Sequence, residues 1–268
     1  MKLRKTVKKV IESTYLYLMF MFLYIPIVVL MVFSFNEAKS RGVWGGFSLK
    51  WYAEMLNDSE LMSALSTTLI VGVLSAVIAC VIGTAAAIGI YGFKKKKLRG
   101  IINAVTNIPM VSSELVIGVS LMMVFIALNI PSGILTMLLA HITFNIPYVI
   151  LSVTPKLMQL DNNLYEAAVD LGAKPWYAFK HVVIPEIMPG IINGLLMAFT
   201  LSIDDFVISF FTTGNGVTNL SIYVYTTAKR LNPKINALST VMFIVIMLLL
   251  FIINRRTSKD KDSNVLMS

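Results

Sequence analysis

The chain has 268 residues, of which 57% are apolar and only 14% charged, and its formal net charge is +9. So little charge in so much apolar sequence excludes an ordinary soluble domain and a disordered tail, and points to a polytopic membrane protein. The one cysteine, Cys80, lies inside an apolar run, which excludes a disulfide within the chain and a cysteine-based metal site and leaves a buried, inert thiol.

A bilayer-spanning helix needs about 20 mostly apolar residues, and six stretches meet that need: 15–35, 64–93, 101–128, 133–153, 187–211 and 235–253. The first follows a basic start, Lys2-Leu3-Arg4-Lys5, but it is longer than a signal-peptide core. With no small-x-small cleavage pattern before Asn36, it reads as a retained span. Between the first two spans, segment 36–60 carries Trp44, Trp51 and Tyr52, read as interfacial aromatics. Pro109, Gly118 and Pro147 interrupt spans; the backbone groups they free either line a cavity or are met by nearby Ser and Thr. Segment 212–234 has room for a helix capped at Asn219. With no internal repeat, the chain reads as one all-α membrane domain over 1–268.

Lys and Arg placement orients the spans. With both termini in the cytoplasm, Lys39, Arg41, Lys50, Lys229, Arg230 and Lys234 face outside, and the rest of the 23 basic residues face inside. Anionic headgroups on that inner face account for the net charge without a nucleic-acid partner, and Lys94 to Lys97 serve as a topological anchor. Reporters fused after Lys97, Lys174 and Arg256 should therefore report cytoplasm, and one near Lys50 or Asn215 the outside. A cytoplasmic signal at Asn215 breaks the six-span topology.

Between the fourth and fifth spans lies a polar island. Asn163 with Glu166 three residues on forms a capping-box pattern, so a helix is predicted from there to Gly172, a left-handed stop. Pro175 suits the first turn of a second short helix, running through Trp176, Phe179 and Val183 towards Pro185. The two make a compact knob. Inside the spans stand Glu114, Asp204, Asp205 and His141, and an ionisable group at that depth costs about 2.5–3.5 kcal/mol on insertion scales. Either they sit near ends of tilted helices or accept hydrogen bonds from Ser112, Ser113 and Ser202, or the three acids give a water-filled path a negative potential suited to a cation. Successive residues are about 100° apart around a helix, so one of Asp204 and Asp205 faces that path and the other a neighbouring helix or the rim. His141, beside Thr143, reads as a packed, hydrogen-bonded side chain. There is no phosphate-cradling Gly-x-x-x-x-Gly-Lys-Ser/Thr loop, no Ser-His-Asp set and no metal-ligand constellation.

The island resembles the signature loop of bacterial ABC-importer permeases: Glu166-Ala167-Ala168, three residues, Gly172, nine residues, then Val182-Val183-Ile184-Pro185, with Val182 and Ile184 in place of the family's Ile and Leu. Phe199 to Ser209, with Ser202-Ile203-Asp204-Asp205-Phe206, resembles the fifth helix of the spermidine/putrescine importer permeases of PotC type. So do Glu114 to Gly118, His141 to Val149 with Pro147-Tyr148, and Asn236 to Thr240. Ser113 departs from that branch, which has Pro there, and this alters the kink that aims Glu114. The resemblance implies a type I ABC-importer permease fold of six helices in the bacterial cytoplasmic (inner) membrane. It implies a second permease chain, a cytoplasmic ATPase dimer and an extracytoplasmic polyamine-binding protein as partners, with ATP and Mg bound by the ATPase and no cofactor or enzyme activity in this chain. It also implies a cytoplasmic coupling loop at 156–190, docking the ATPase through Glu166, Ala167, Ala168, Gly172 and Pro185, and a substrate pathway at Glu114, Tyr148, Asp204 and Asp205. Alternatives are an importer for another cationic or small polar solute, a cation-coupled secondary transporter or channel, and a structural membrane protein.

Overall fold

A computed structural model describes residues 2–39, 42–93, 95–214, 216–227, 232–245 and 247–248. Lys94, Arg41, Lys229, Arg230, the end of the sixth expected span and the basic residues from Arg255 onward lie outside them. Among the described residues the chain is helical apart from an antiparallel bridge between Asn36 and Phe47. The helices are α1 (Lys2–Ser34), α2 (Lys50–Leu56), α3 (Ser59–Gly92), α4 (Lys96–Val111), α5 (Glu114–Ala127), α6 (Ile134–Gln159), α7 (Asn162–Asp170), α8 (Pro175–Ala178), α9 (Ile184–Asp204), α10 (Val207–Thr212), α11 (Leu220–Thr227) and α12 (Pro233–Val245). They fall into two bodies, residues 1–62 with 226–268, and residues 63–225.

Four stretches are long and apolar enough to cross a bilayer: Glu12–Ser34, Ser59–Gly92, Ile134–Gln159 and Pro175–Asp204. The third expected span is not a single rod. It breaks between α4 and α5 with a bend of 105°. Ser112 and Ser113 take extended backbone, with ψ 149° and 138°, and Ser112 Oγ donates back to the Ile108 carbonyl at 2.9 Å. Pro109 has already weakened that end of α4 by lacking an N–H. The fifth expected span starts earlier than its hydropathy suggests, at Pro175, and ends at Asp204, with α10 following as a separate short helix. The sixth is described as a helix only to Val245.

In the smaller body, Asn36 organises the turn after α1. Its side chain donates to the Val43 carbonyl at 2.8 Å and accepts from the Gly45 amide at 2.8 Å. Trp51 is buried, and its indole N–H donates to the Asn36 carbonyl at 2.6 Å. Trp51 is therefore an anchor of this turn, not an interfacial aromatic; Trp44 is exposed. Tyr52 pairs with Ser34 through their hydroxyls at 2.7 Å, and Lys234 with Asp58 at 2.9 Å.

The larger body is built on α6 and α9. Ile150, Val153 and Leu157 of α6 pack with Ile187 and Ala198 of α9 and with Ala76, Cys80, Ala87 and Ile90 of α3. The approach is close because α9 offers glycines: a Cβ on Gly190 would meet the Ser152 carbonyl at 2.9 Å, and one on Gly194 the Val149 Cα at 3.2 Å. Dispersion across such a contact takes the place of a hydrophobic force that lipid cannot supply.

Candidate functional site

Where α9 ends, Asp204 and Asp205 part company. Asp204 is exposed and its side chain makes no hydrogen bond or ion pair among the described residues. Asp205 is buried and takes extended backbone. One of its carboxylate oxygens accepts from the Ile208 amide at 3.1 Å; the other accepts from the Ser209 amide at 2.8 Å and the Ser209 hydroxyl at 2.7 Å. His141 Nε2 lies 3.3 Å from that second oxygen and 2.9 Å from Ser209 Oγ. Asp205 is thus a helix cap: its side chain takes up amides that the first turn of α10 leaves without intrahelical partners. It does not present a free carboxylate to a path.

The polar contacts continue on either side. Asn219 Nδ2 donates to the Asp205 carbonyl at 3.4 Å, and Asn219 Oδ1 caps α11 by accepting from the Ile222 amide at 2.9 Å. The helix expected from Asn219 is there. One layer further along α6, Asn145 donates to Ser202 at 2.7 Å, and Ser202 pairs with Ser75 of α3 at 2.9 Å. His141 is the packed, hydrogen-bonded side chain expected of it; its partners, and the membership of Asn145 and Ser75, are what sequence reasoning did not assign. Their partners are remote in the chain, and the one available signal was polar residues four apart on an apolar helix.

Glu114 is exposed in the first turn of α5, where its charge complements the helix dipole. Tyr148 is half-buried on α6 and packs against Phe144, ring centres 5.2 Å apart. Pro109 and Pro147 line one open groove of about 560 Å³ with Thr106 and Thr143, whereas Gly118 lies in a tight contact, its would-be Cβ 3.3 Å from Ile208 Cα.

The signature loop is built as a knob, with two corrections. The α7 cap is Asp161, whose carboxylate accepts from the Asn163 amide at 3.0 Å, instead of Asn163 itself. After α7, Gly172 has φ +90°, and the Gly172 and Ala173 amides donate to the Val169 and Ala168 carbonyls at 2.9 and 3.1 Å. That pair of bonds is a Schellman stop. The second helix does not end near Pro185. A π turn at Phe179–Val183, with the Ile184 amide reaching the Phe179 carbonyl, joins α8 to α9. The wider turn re-pairs carbonyls around a proline that has no N–H to give. Leu171, Trp176 and Tyr177 stand exposed on the knob, at 90%, 73% and 58%, far more than a packed loop leaves open.

Residues 79–258 match the family described as "binding-protein-dependent transport system inner membrane component". The putrescine transport system permease protein PotI of Escherichia coli K12 is 38% identical, over 79% of this chain and 78% of that protein. The spermidine/putrescine transport system permease protein PotC of the same strain is 33% identical over 86% and 87%, and that of Haemophilus influenzae 31% over 85% and 88%. Among solved structures, a chain of a bacterial ABC transporter for import of the acidic polysaccharide alginate superposes with TM-score 0.71 at 16% identity, over 96% of this chain and 99% of that one. A chain of an amino acid ABC transporter gives 0.56 at 18%, over 78% and 100%. These likenesses show the type I ABC-importer permease fold.

Proposed function

The chain belongs to the binding-protein-dependent transport system inner membrane components, and on that premise we propose that it is the membrane-spanning permease of an ATP-driven importer of polyamines. Support for the cargo comes from relatives named for putrescine and spermidine and from the charge of the spans. Asp204 and Glu114 are exposed acids without ion-pair partners among the described residues, and a polyamine is an extended cation with several ammonium groups. Asp204, Glu114 and Tyr148 face the path that a second permease chain completes, and Asp205 positions Asp204 by holding α9 and α10 to α6 through His141.

The observation that carries the mechanism is that Pro175–Asp204 runs as one helical stretch of 30 residues. Its beginning is the knob, the docking face for a cytoplasmic ATPase dimer through Glu166, Ala167, Ala168, Gly172 and Pro185. Its end is Asp204, about 45 Å away at the rise of a helix. Closure of the ATPases on ATP displaces the 156–190 loop, and a rigid rod carries that displacement to the acid, so outward access gives way to inward access. A solute-binding protein delivers the polyamine on the outer side. No bond is made or broken in this chain; hydrolysis belongs to the ATPase.

The test is uptake of labelled spermidine and putrescine by cells with and without this chain, the partner ATPase being intact. Uptake should fall to background on deletion and return on restoration. Uptake that is unchanged by deletion overturns the reading.

A further inference from the structure

The exposed face of α9 carries more than Asp204. A helix advances about 100° and 1.5 Å per residue, so Glu186, Asn193, Thr200 and Asp204 fall within an arc of about 40° along a line about 27 Å long. All four are exposed. The side of α9 that packs inward is made instead of Ile187, Gly190, Gly194, Ala198 and Ser202. Beside the polar line runs an open groove of about 580 Å³, walled largely by apolar side chains, Leu151, Leu196 and Leu201 among them, with Ser152, Asn193 and Thr200 as its polar lining. Tyr148 extends the α6 wall by one turn, being four residues before Ser152.

The hydroxyls in this groove are set as acceptors. Thr200 Oγ1 donates its proton to the Leu196 carbonyl at 2.8 Å, and the Ser152 hydroxyl has its proton shared between the Tyr148 carbonyl at 3.0 Å and Met197 Sδ at 3.6 Å. A hydroxyl has one proton and two lone pairs, so what these two have left to offer is acceptor capacity. An alkylammonium is the complementary group, with several donors and no acceptor. Asn193 adds an amide oxygen that has no partner among the described residues. Lys156, in the last turn of α6, donates to Gln159 at 3.3 Å, towards the end of its own helix.

We propose that this face of α9 is a cation track for an extended polyammonium cargo, with Asp204 and Glu186 as terminal carboxylates and Asn193, Thr200 and Ser152 as a neutral acceptor subsite between them. The proposal rests on the polyamine reading above. Charge at both ends draws the cargo in and out, and the neutral middle keeps it from being trapped, as conduction requires binding strong enough to enter and weak enough to leave. It also spares the mid-membrane the cost of a further unpaired carboxylate. One helical turn separates Thr200 from Asp204, about 6 Å, so one extended cargo molecule engages both.

Because Cys80 is the chain's one cysteine and is buried, Cys80→Ala gives a cysteine-free background. Asn193→Cys and Thr200→Cys are then placed on the track, and Ile192→Cys on the apolar exposed face of the same helix. Membranes holding the assembled importer are treated during ATP turnover with a permanently charged, water-soluble methanethiosulfonate, and the mass shift of this chain is followed. Positions 193 and 200 should label, several-fold more slowly when spermidine and the binding protein are present, while 192 stays inert. Equal labelling at all three positions, or none at 193 and 200, overturns the track. Labelling that spermidine leaves unslowed overturns it where the native importer takes up spermidine. Failure of native uptake itself overturns the polyamine reading instead, and the comparison of 193 and 200 with 192 still decides whether the face is wet.

Discussion

Gly172→Val should leave the chain in the membrane at normal abundance while uptake falls to background and the ATPase no longer co-purifies. Space is not the obstacle, since a Cβ at Gly172 meets nothing within 4 Å. The backbone is: φ is +90°, a region that costs an ordinary L-residue about 1–2 kcal/mol and a β-branched one more. The chain escapes by giving up the two stop bonds from Gly172 and Ala173, which changes the angle between α7 and α8. Leu171 and Trp176, the most exposed apolar groups of the knob, then shift relative to Glu166 and Ala167, the proposed docking residues. Gly172→Asn is the control, because Asn tolerates the left-handed region; it should restore uptake in large part. Normal uptake with normal ATPase binding in Gly172→Val removes the docking role of the loop.

That loop was legible because its information is local. Gly172 announces a positive φ and Pro175 a first turn, and outside the loop Asn219 announces the cap of α11, each a feature that closes within a few residues. The bend of 105° at Ser112–Ser113 was half legible. Pro109 marked a weak point, but nothing local fixes how far a helix swings once broken, and hydropathy runs smoothly through both halves. The π turn before Pro185 was invisible for the opposite reason: proline reads as a stop, and only a shift of register in the preceding turn lets the helix pass. Trp51 looked interfacial by type and location; its partner is a backbone carbonyl set by the turn at Asn36. The partner of Asp205 was out of reach of any spacing rule, since His141 lies on another helix.

Asp204 and Asp205, adjacent in sequence, should answer neutralisation in different ways. Asp204→Asn keeps size and removes a charge that is exposed and has no side-chain partner among the described residues, so no contact is broken; abundance should hold. Uptake at sub-saturating spermidine should fall by about tenfold, the lower end of what one-signed clefts contribute to the capture of charged ligands. Asp205→Asn meets a different surrounding. Two amides and the Ser209 hydroxyl donate to the carboxylate, with His141 beside it. A carboxamide has a single acceptor oxygen, so its NH₂ must face a donor. A buried polar group left unsatisfied costs about 1–3 kcal/mol, and α10 loses its cap. Abundance and thermal stability in detergent should drop, with uptake falling in proportion to the protein that remains. Ser209→Ala, which removes one of the same donors, should give a milder copy of that phenotype and none of the Asp204 one. Full uptake in Asp204→Asn removes that residue from the path. Wild-type abundance with lost uptake in Asp205→Asn moves the buried carboxylate from positioning to the path itself, because a carboxylate that only holds α10 in place must cost stability when it is lost.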